Sequence, residues 1–489
     1  MSLPFFFLGC SSSNSPEAPA DGGTASHPDA GPSDTVAEAT RAKCGYEVGS
    51  LAAETQGASA PDGATIPIET IVIIMMENRS FDHYFQDLPN QPGWSRGDGS
   101  PHASSTSVDV APASVTNADL SGTPMPLAHG TQLCFADTNH SWDGTHQEID
   151  NGKMDGFAAA NDDAHENPML GPPGFLSGGR AMAYYTKDDL PFMYWAAENF
   201  AIGDRYFAAV PGPTWPNREY LYAGTSWGET TTGDFPTPTS KLVLDLLSAK
   251  GITWGAYAGS LSTVEIFANS KTFQSTYAHK QYTSDQFMTD AQNGKLPQVT
   301  FLDPTLYPEG YDNNDEHPPA VMQVGQNWLA GVIKTLFASS QWKHMAIFLL
   351  YDEHGGLYDH VAPPPACAPD AIQPKFQADA GGSAYGGFVL EGIRLPFVVF
   401  SPYAKHHYVS HKVFDHTSVL RFVEARFGLP ALTKRDANAL APWDVFDFKA
   451  PPRLTPPAVP DVPVDQTIID QCKTIFTAAD VAAHPEFTQ

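Results

Sequence analysis

Acidic and amide side chains follow two apolar runs of this sequence and are well suited to bind a metal ion. Glu77 and Asn78 come directly after one run, and Asp352 and Glu353 come directly after another. Carboxylates brought together without a cation repel one another and take up protons. A divalent metal removes that conflict, and oxygen ligands favour a hard ion such as Ca²⁺, Mg²⁺ or Mn²⁺. The alternative is that one cluster only begins a helix, since asparagine is a good helix-start residue.

A hydroxyl group lies within a rigid turn, the segment 212–218 with the sequence GPTWPNR. One glycine and two prolines would hold the Thr214 side chain in a fixed direction. A threonine hydroxyl becomes a good nucleophile only when a base or a metal activates it. Arg218 could then hold phosphate oxygens with its bidentate guanidinium. The alternative is a structural proline turn, with Trp215 packed in the core.

Histidines supply candidate general acids. His140 lies in the segment DTNHSW, His317 lies in NDEHPP, and His354 directly follows the second acidic pair. An imidazole can protonate a leaving oxygen or contact a phosphate oxygen near neutral pH. His317 and His354 also widen the choice of metal. We interpret two further histidines, His360 and His416, as structural groups.

The apolar runs predict the elements that position these groups. Strands buried on both faces are predicted at 68–76, 299–302, 344–351 and 395–400. Helical spacing predicts a helix between 324 and 337, and a start signal with a glycine stop predicts another between 415 and 429. Alternating strands and helices predict an α/β fold, a three-layer sandwich with a central, mainly parallel sheet. Sites in such folds gather beyond the carboxyl ends of the strands, which is where both acidic clusters fall.

The charge of the chain argues against two classes of partner. Its 489 residues include 27 Lys and Arg against 55 Asp and Glu, a formal net charge of −28. Such a surface repels nucleic acid and anionic membranes, so we expect neither as a general partner. An anionic substrate would need local positive charge from a metal or from a few arginines. The sequence leaves the oligomeric state open.

The amino-terminal residues have the character of an exported lipoprotein. A short apolar run ends at Cys10, and the three residues LGC are similar to a lipoprotein processing site, which indicates lipid anchoring. We expect a true signal to begin upstream of this Met, because no Lys or Arg precedes the run. Residues 11 to about 40 are rich in Ser, Pro, Ala and Gly and predict a flexible tether. The alternative is an accidental apolar start in a cytosolic protein.

We therefore divide the chain into two parts. Residues 1–44 are predicted to be a lipoprotein-like signal remnant and tether. Residues 45–489 are predicted to be one catalytic domain with a proline-rich C-terminal extension after about residue 450. An extracytoplasmic location follows from this division, with the protein secreted or lipid-anchored at the cell envelope.

The remaining cysteines agree with export. An even number with wide separations predicts two disulfide bonds. Four cysteines allow three pairings, and the sequence does not choose among them. Buried free thiols are the alternative. The four are Cys44, Cys134, Cys367 and Cys472.

Four motifs in a fixed order give the sequence a resemblance to a known family. They are ENRSFDHYF at 77–85, GPTWPNR at 212–218, DEHPP at 315–319 and YDEHGGLYDHV at 351–361. Over residues 65 to 430, the chain resembles the bacterial phosphoesterase family of non-zinc phospholipases C and acid phosphatases, in the alkaline phosphatase superfamily. The resemblance implies an alkaline phosphatase-like sandwich and metal-assisted phosphoryl transfer through a covalent intermediate.

The resemblance also implies roles for the residues of these motifs. One divalent metal would be held by several oxygen ligands, the nucleophile would be one of them, and histidines would contact phosphate or act as acid and base. The implied ligands are Glu77, Asn78, Thr214, Asp352 and Glu353, with Thr214 as nucleophile, and the implied histidines are His140, His317 and His354.

A threonine nucleophile is typical of the phospholipase C members, whereas the acid phosphatases carry serine. The predicted function is therefore a phospholipase C that cleaves phospholipid phosphodiesters through a phosphothreonine intermediate. With such a substrate, Trp215 could hold a choline ammonium by a cation–π contact. One alternative is a broad-specificity acid phosphatase with the same site. Another, of a different class, is a surface lipoprotein that binds phosphate-bearing ligands without turnover.

Overall fold

The computed structural model describes residues 32–100, 102–162, 177–233, 236–268, 277–306, 310–375 and 386–475. The strands are β1 (Thr70–Met76), β2 (Ser95–Arg96), β3 (Ser107–Val108), β4 (Thr116–Ala118), β5 (Pro124–Pro126), β6 (Ala128–His129), β7 (Ala183–Tyr184), β8 (Ala201–Gly203), β9 (Trp254–Ala258), β10 (Gln281–Thr283), β11 (Val299–Asp303), β12 (Met345–Tyr351), β13 (Phe397–Phe400) and β14 (Tyr408–Ser410). The α-helices are α1 (Asp34–Arg41), α2 (Ala52–Thr55), α3 (Phe81–Phe85), α4 (Trp142–Ile149), α5 (Phe157–Ala160), α6 (Pro191–Asn199), α7 (Thr214–Ala223), α8 (Val243–Ala249), α9 (Ser284–Gln292), α10 (Met322–Ala338), α11 (His416–Phe427), α12 (Lys434–Ala437) and α13 (Gln466–Ile475).

Eight of these strands form one central sheet in the order β10-β9-β11-β1-β12-β13-β8-β14. Five neighbouring pairs are parallel, and β13 runs antiparallel to both β12 and β8. In the middle of the sheet, Ile73 of β1 is paired with Phe301 on one side and with Phe348 on the other. The predicted mainly parallel sheet is therefore confirmed.

Helices cover both faces of this sheet. Every residue of β1 and of β12 is buried, as expected for apolar runs enclosed on two sides. Phe348 of β12 packs on Phe422 of α11, with ring centroids 5.0 Å apart. Its neighbour Ile347 is paired with Phe400. The ring of Phe400 packs against that of Phe337 in α10, with ring centroids 6.3 Å apart. Adjacent strand residues point to opposite faces, so α10 and α11 lie on opposite sides and the predicted three-layer α/β sandwich is confirmed.

The four predicted strands correspond to β1, β11, β12 and β13, and the two predicted helices correspond to α10 and α11. The start signal of α11 works as expected, because the Asp415 side chain accepts the N–H of Ser418 at 2.9 Å. Gly428 ends the helix with a φ of 58°, a conformation that glycine adopts without steric strain. The alternation of strands and helices did not predict that β13 runs antiparallel to its neighbours.

The predicted tether is wrong for its last residues. Residues 34–41 form α1, in which Ala37 is buried, and the Arg41 guanidinium donates to the Thr55 carbonyl. Residues 1–31, which include Cys10 and most of the predicted tether, lie outside the described residues. Within the described ranges, each helix is either too short or too polar to cross a bilayer.

Two disulfide bonds connect distant parts of the chain, as predicted. Cys44 is bonded to Cys367, with Cα atoms 5.6 Å apart. Cys134 is bonded to Cys472 in α13, with Cα atoms 6.3 Å apart. The first bond fixes the segment after α1 to the loop between β12 and β13. The second fixes α13 to the segment before α4.

Candidate active site

Three acidic side chains meet beyond the carboxyl ends of neighbouring strands. Glu77 follows β1, Asp303 ends β11 and Asp352 follows β12, and all three are buried. One guanidinium joins them. Arg218 donates to Glu77 Oε1 at 2.7 Å, to Asp303 Oδ1 at 2.9 Å and to Asp352 Oδ2 at 3.0 Å. Asp303 was not among the residues predicted for the site, although it lies directly after the predicted strand 299–302.

Arg218 therefore has a different role from the one predicted for it. Its side chain is 1% exposed. Nη1 also donates to Thr263 Oγ1 at 3.0 Å, and Nη2 lies 3.4 and 3.3 Å from the carbonyls of Met75 and Met76. Each guanidinium nitrogen already has a protein acceptor, so the side chain cannot reach out to hold a phosphate. It serves instead as the counter-charge of the acidic strand ends.

Two more side chains at these strand ends carry oxygen atoms that could bind a metal and have no hydrogen-bond partner. Asn78 is fully buried, and both atoms of its side-chain amide are unpaired. The Oε1 atom of buried Glu353 is unpaired as well. Buried polar atoms are almost always satisfied, because leaving one unpaired costs about 1–3 kcal/mol. Asn78 has a φ of 60°, and its backbone N–H donates to Asp352 Oδ1 at 3.3 Å, which holds it among the carboxylates.

The acidic set carries more negative charge than Arg218 neutralises. Burial and the charge of Glu77 raise the pKa of Asp352 to about 7, against the opposing effect of Arg218. Burial raises the pKa of Glu353 well above its usual range, and the charge of Asp352 adds to this effect although His140 opposes it. Unpaired oxygens beside crowded carboxylates fit a divalent cation with oxygen ligands. The donor set Glu77, Asn78, Asp352 and Glu353 is therefore suitable for Ca²⁺, Mg²⁺ or Mn²⁺.

Two groups of the described residues each place three His or Asp ligand atoms within 4.8 Å of one another. Neither group contains Glu77, Asp352 or Glu353. Between Glu77 and Asp352 lies the guanidinium of Arg218. The unpaired oxygens and the excess negative charge are the features of the acidic strand ends that fit an ion. Glu77, Asp352 and Glu353 do not form a preformed cage for it.

Thr214 is the first residue of α7, and Arg218 lies four residues later. Residues four apart face the same side of a helix, so the contacts of Arg218 turn the Thr214 face of α7 towards the carboxylates. Asn217 holds the preceding turn: its Oδ1 accepts the N–H of Val210 at 3.0 Å, and its Nδ2 donates to the Gly212 carbonyl at 2.8 Å. The rigid presentation expected for Thr214 thus comes from an asparagine as well as from the prolines.

The residues around Thr214 pack closely against apolar parts of the protein. A Cβ atom at Gly212 would lie 3.1 Å from the indole of Trp142, so glycine allows this close approach. Trp215 is half-buried and packs against the main apolar core. That position agrees with the core role considered for Trp215 and gives no support to a cation–π contact with substrate.

His140 and His317 lie together, with ring centroids 5.7 Å apart. The Nδ1 atom of His140 is 2.6 Å from the Thr138 carbonyl, and that of His317 is 2.5 Å from the Pro318 carbonyl. Each Nδ1 therefore carries a hydrogen that it donates to the backbone, which directs both Nε2 atoms to other partners. Together with Asp137, these imidazoles form one of the two clusters of ligand atoms.

The charge on His140 is set by the acidic strand ends. Burial lowers the pKa of His140, but the charges of Glu353 and Asp137 outweigh burial and raise it to about 10. An imidazolium at this place can donate a proton from Nε2, as a general acid must. The structure thus brings His140 within electrostatic reach of the acidic strand ends.

His354 points away from this group, contrary to its predicted catalytic role. Its Nε2 lies 2.7 Å from Glu148 Oε2, and its Nδ1 lies 3.5 Å from Glu353 Oε2. The ring is buried and also packs edge-on against Phe157. Burial lowers the pKa of His354 well below its usual value. His354 therefore supports Glu353 and does not face a substrate.

His416 and His360 have structural contacts. His416 Nε2 lies 2.7 Å from the carbonyl of Asp352, and its Nδ1 lies 2.9 Å from the Tyr206 hydroxyl. His360 Nδ1 lies 2.7 Å from Asp82 Oδ2. The second cluster of ligand atoms, formed by Asp82, Asp359 and His360, surrounds a cation of the chain itself: the Arg394 guanidinium, which donates to Asp82 at 2.9 Å and to Asp359 at 3.1 Å.

Two consecutive glycines let the acidic strand end approach its neighbours. Gly355 and Gly356 have φ values of 64° and 69°. A Cβ at Gly355 would lie 2.6 Å from the Asn78 carbonyl oxygen, and one at Gly356 would lie 2.9 Å from the Asn139 nitrogen. Side chains at these two positions would force apart Asn78, Glu353 and the loop of His140.

We expect Gly356→Ala to lower kcat about 100-fold, since displacement of a reacting group by about 1 Å has an effect of that size. Gly122→Ala is the matched control, because Gly122 also has a positive φ, 85°, but nothing lies within 4 Å of its added Cβ. Measurements of steady-state turnover and of thermal unfolding for both variants test this prediction. Equal activity of the two variants would contradict the proposed packing of the site.

Comparison with known proteins gives the following relationships. The model of the Phosphoesterase family matches residues 68–430. Phospholipase C B of Mycobacterium tuberculosis is 30% identical over 451 residues, which cover 84% of this chain and 83% of that protein. Non-specific phospholipase C1 of Arabidopsis thaliana is 29% identical over 451 residues, with 86% and 78% covered. A Vibrio parahaemolyticus protein of the alkaline phosphatase superfamily aligns with a TM-score of 0.33, 12% identity, and 62% and 83% coverage, which is too distant to add weight.

Proposed function

Because the chain belongs to the Phosphoesterase family and is a phosphoric ester hydrolase, we propose that it is a metal-dependent phospholipase C with Thr214 as nucleophile. The observation that carries the proposal is the set of unpaired oxygens of Asn78 and Glu353, after β1 and β12, beside carboxylates that Arg218 joins to α7. The similar proteins from Mycobacterium tuberculosis and Arabidopsis thaliana, both named phospholipase C, support a phospholipid substrate.

The mechanism begins at the amino-terminal end of α7. A divalent ion held by Glu77, Asn78, Asp352 and Glu353 would lower the pKa of the Thr214 hydroxyl and offset charge on the phosphoryl group. Thr214 loses its hydroxyl proton to solvent, and its Oγ1 attacks phosphorus. This forms a phosphothreonine that still carries the head group, while the bond to the lipid alcohol breaks.

The chain's own residues handle the phosphoryl charge and the protons. The partial positive charge at the start of α7 stabilises the phosphoryl oxygens. His140 gives the proton of its Nε2 to the leaving oxygen, because its Nδ1 is already engaged with the Thr138 carbonyl. His317, with Nδ1 held by the Pro318 carbonyl, presents its Nε2 to a phosphoryl oxygen. Water then gives a proton back to Nε2 of His140 and attacks phosphorus. The bond to Thr214 breaks, its oxygen takes a proton from solvent, and the product leaves as a phosphate ester of the head group.

Metal removal and a substrate pair test this proposal together. Chelation by EDTA is expected to abolish hydrolysis of p-nitrophenyl phosphorylcholine, and Mn²⁺, Ca²⁺ or Mg²⁺ is expected to restore it. Hydrolysis of p-nitrophenyl phosphate is expected to be slower at the same concentrations. Full activity in the chelator would contradict the metal, and faster cleavage of the monoester would favour the acid phosphatase alternative. Binding of both compounds without turnover would favour the non-catalytic alternative.

We also propose an extracytoplasmic location. Disulfide bonds persist in oxidising compartments, and the two bonds of this chain join residues more than 300 positions apart. Cell fractionation tests the location. Mass spectrometry of Cys10 in the natively produced protein tests lipid anchoring, because an unmodified cysteine would remove that idea.

A further inference from the structure

A buried glutamate of α4 lies behind the proposed metal ligands. Glu148 is completely buried. Its Oε2 is 2.7 Å from Nε2 of His354, whose Nδ1 lies 3.5 Å from Oε2 of Glu353. The other oxygen of Glu353, Oε1, has no partner. A line of contacts thus runs from Glu148 through one imidazole to the carboxylate that has a free oxygen.

The second oxygen of Glu148 has a separate partner. Glu148 Oε1 accepts Nδ2 of Asn161 at 2.9 Å, and the same Nδ2 lies 3.2 Å from the Gly356 carbonyl. Oδ1 of Asn161 accepts the N–H of Asn139 at 2.6 Å. Asn139 directly precedes His140. One buried carboxyl group therefore contacts both the segment after β12 and, through Asn161, the loop that carries His140.

We propose that Glu148 is a positioning residue that holds Glu353 in place through His354 and holds the His140 loop in place through Asn161. This inference rests on the proposed function of the site. A carboxylate rotates freely about its last bonds unless its neighbours fix it, and the Gly355 N–H, at 2.6 Å, fixes only Oε2 of Glu353. The imidazole beside Oε2 restricts the remaining rotation, which would keep the unpaired Oε1 in place to bind the ion. Groups in such outer positions typically change metal affinity 10–100-fold when they are removed.

The partners of Glu148 also predict which replacement is tolerated. In Glu148→Gln, the amide oxygen can accept from Asn161 and the amide NH₂ can donate to Nε2 of His354, so both contacts remain. In Glu148→Asp, the shorter side chain cannot reach both partners. Glu148→Ala loses both of them.

Titration of the whole protein with Mn²⁺, followed by electron paramagnetic resonance of the free ion, measures the effect. We expect Glu148→Ala to weaken Mn²⁺ binding about 10–100-fold and to regain part of its hydrolysis at high Mn²⁺, and we expect Glu148→Gln to bind Mn²⁺ as the wild type does. Glu424→Ala is the matched control, because Glu424 is equally buried but pairs with Arg421 at 2.8 Å. It is expected to lower stability without changing Mn²⁺ affinity.

Wild-type Mn²⁺ affinity in folded Glu148→Ala would overturn the inference and leave the proposed function intact. Should Glu148→Ala fail to fold, the other two variants decide. Wild-type affinity in Glu148→Gln with weaker binding in Glu148→Asp supports the inference, and equal affinity in both overturns it. A wild-type protein that binds no Mn²⁺ and is active in the chelator would instead contradict the proposed function itself.

Discussion

Replacement of Thr214 by alanine is expected to lower kcat for p-nitrophenyl phosphorylcholine at least about 1,000-fold, as removal of a covalent nucleophile does in other hydrolases. Thr214 is the first residue of α7 and lies on the same side of the helix as Arg218, which contacts the acidic strand ends. No other side chain is assigned the attack on phosphorus in the proposed mechanism. The fold is expected to survive, because the change removes one hydroxyl and one methyl group at the start of a helix.

Three measurements make this prediction specific. Thr214→Ser keeps a hydroxyl and is expected to retain measurable turnover. Thr232→Ala is the control, since Thr232 accepts the N–H of Trp215 at 3.4 Å through its own hydroxyl and has no part in the proposed chemistry. Acid quenching during turnover of this substrate, followed by peptide mass spectrometry, is expected to find phosphorylcholine esterified to Thr214. Substantial hydrolysis by Thr214→Ala would exclude this residue as the nucleophile.

Arg218→Met is expected to reduce the free energy of unfolding by about 3–5 kcal/mol, the usual effect of removing one partner from a buried ion pair. Glu77, Asp303 and Asp352 would then share a buried site without their common cation. Urea denaturation, monitored by tryptophan fluorescence, measures the change. Arg453→Met is the control, because Arg453 is only partly buried and its Nη1 donates to the Asn199 carbonyl at 3.0 Å. A smaller loss of stability is expected there.

The same variant separates two roles for Arg218. A phosphate-binding arginine would raise KM on replacement and leave stability nearly unchanged. A buried counter-charge lowers stability first, and activity falls because the acidic strand ends move. Unchanged unfolding with a higher KM would return Arg218 to the substrate-binding role that the sequence predicted.

The central part of the fold was accessible from sequence because its strands are buried on both faces. The runs that became β1 and β12 are almost entirely apolar, and each is followed immediately by a pair of oxygen-bearing side chains, Glu77 with Asn78 and Asp352 with Glu353. In a parallel sheet that order places both pairs at one edge. The reversal of β13 was not accessible, since an apolar run has the same composition in either direction.

The roles of Arg218 and His354 could not be predicted because their partners are remote in the sequence. Arg218 contacts residues 77, 303 and 352, and His354 contacts residue 148. A local motif indicates which chemical group is present, but only the packing of distant segments decides whether the group faces a substrate or another side chain. Distant contacts also explain why the composition of α1 predicted a flexible tether. Its small and polar residues are ordered through the contact of Arg41 with Thr55 and through the Cys44–Cys367 bond.

The two disulfide bonds have a consequence for proteolysis. One bond spans positions 44 to 367 and the other spans 134 to 472, so the two spans overlap. Any single cut between positions 44 and 472 falls inside at least one span, and the two pieces stay covalently joined. A protein nicked once in that interval therefore migrates as one band on a non-reducing gel and as two bands once dithiothreitol is added.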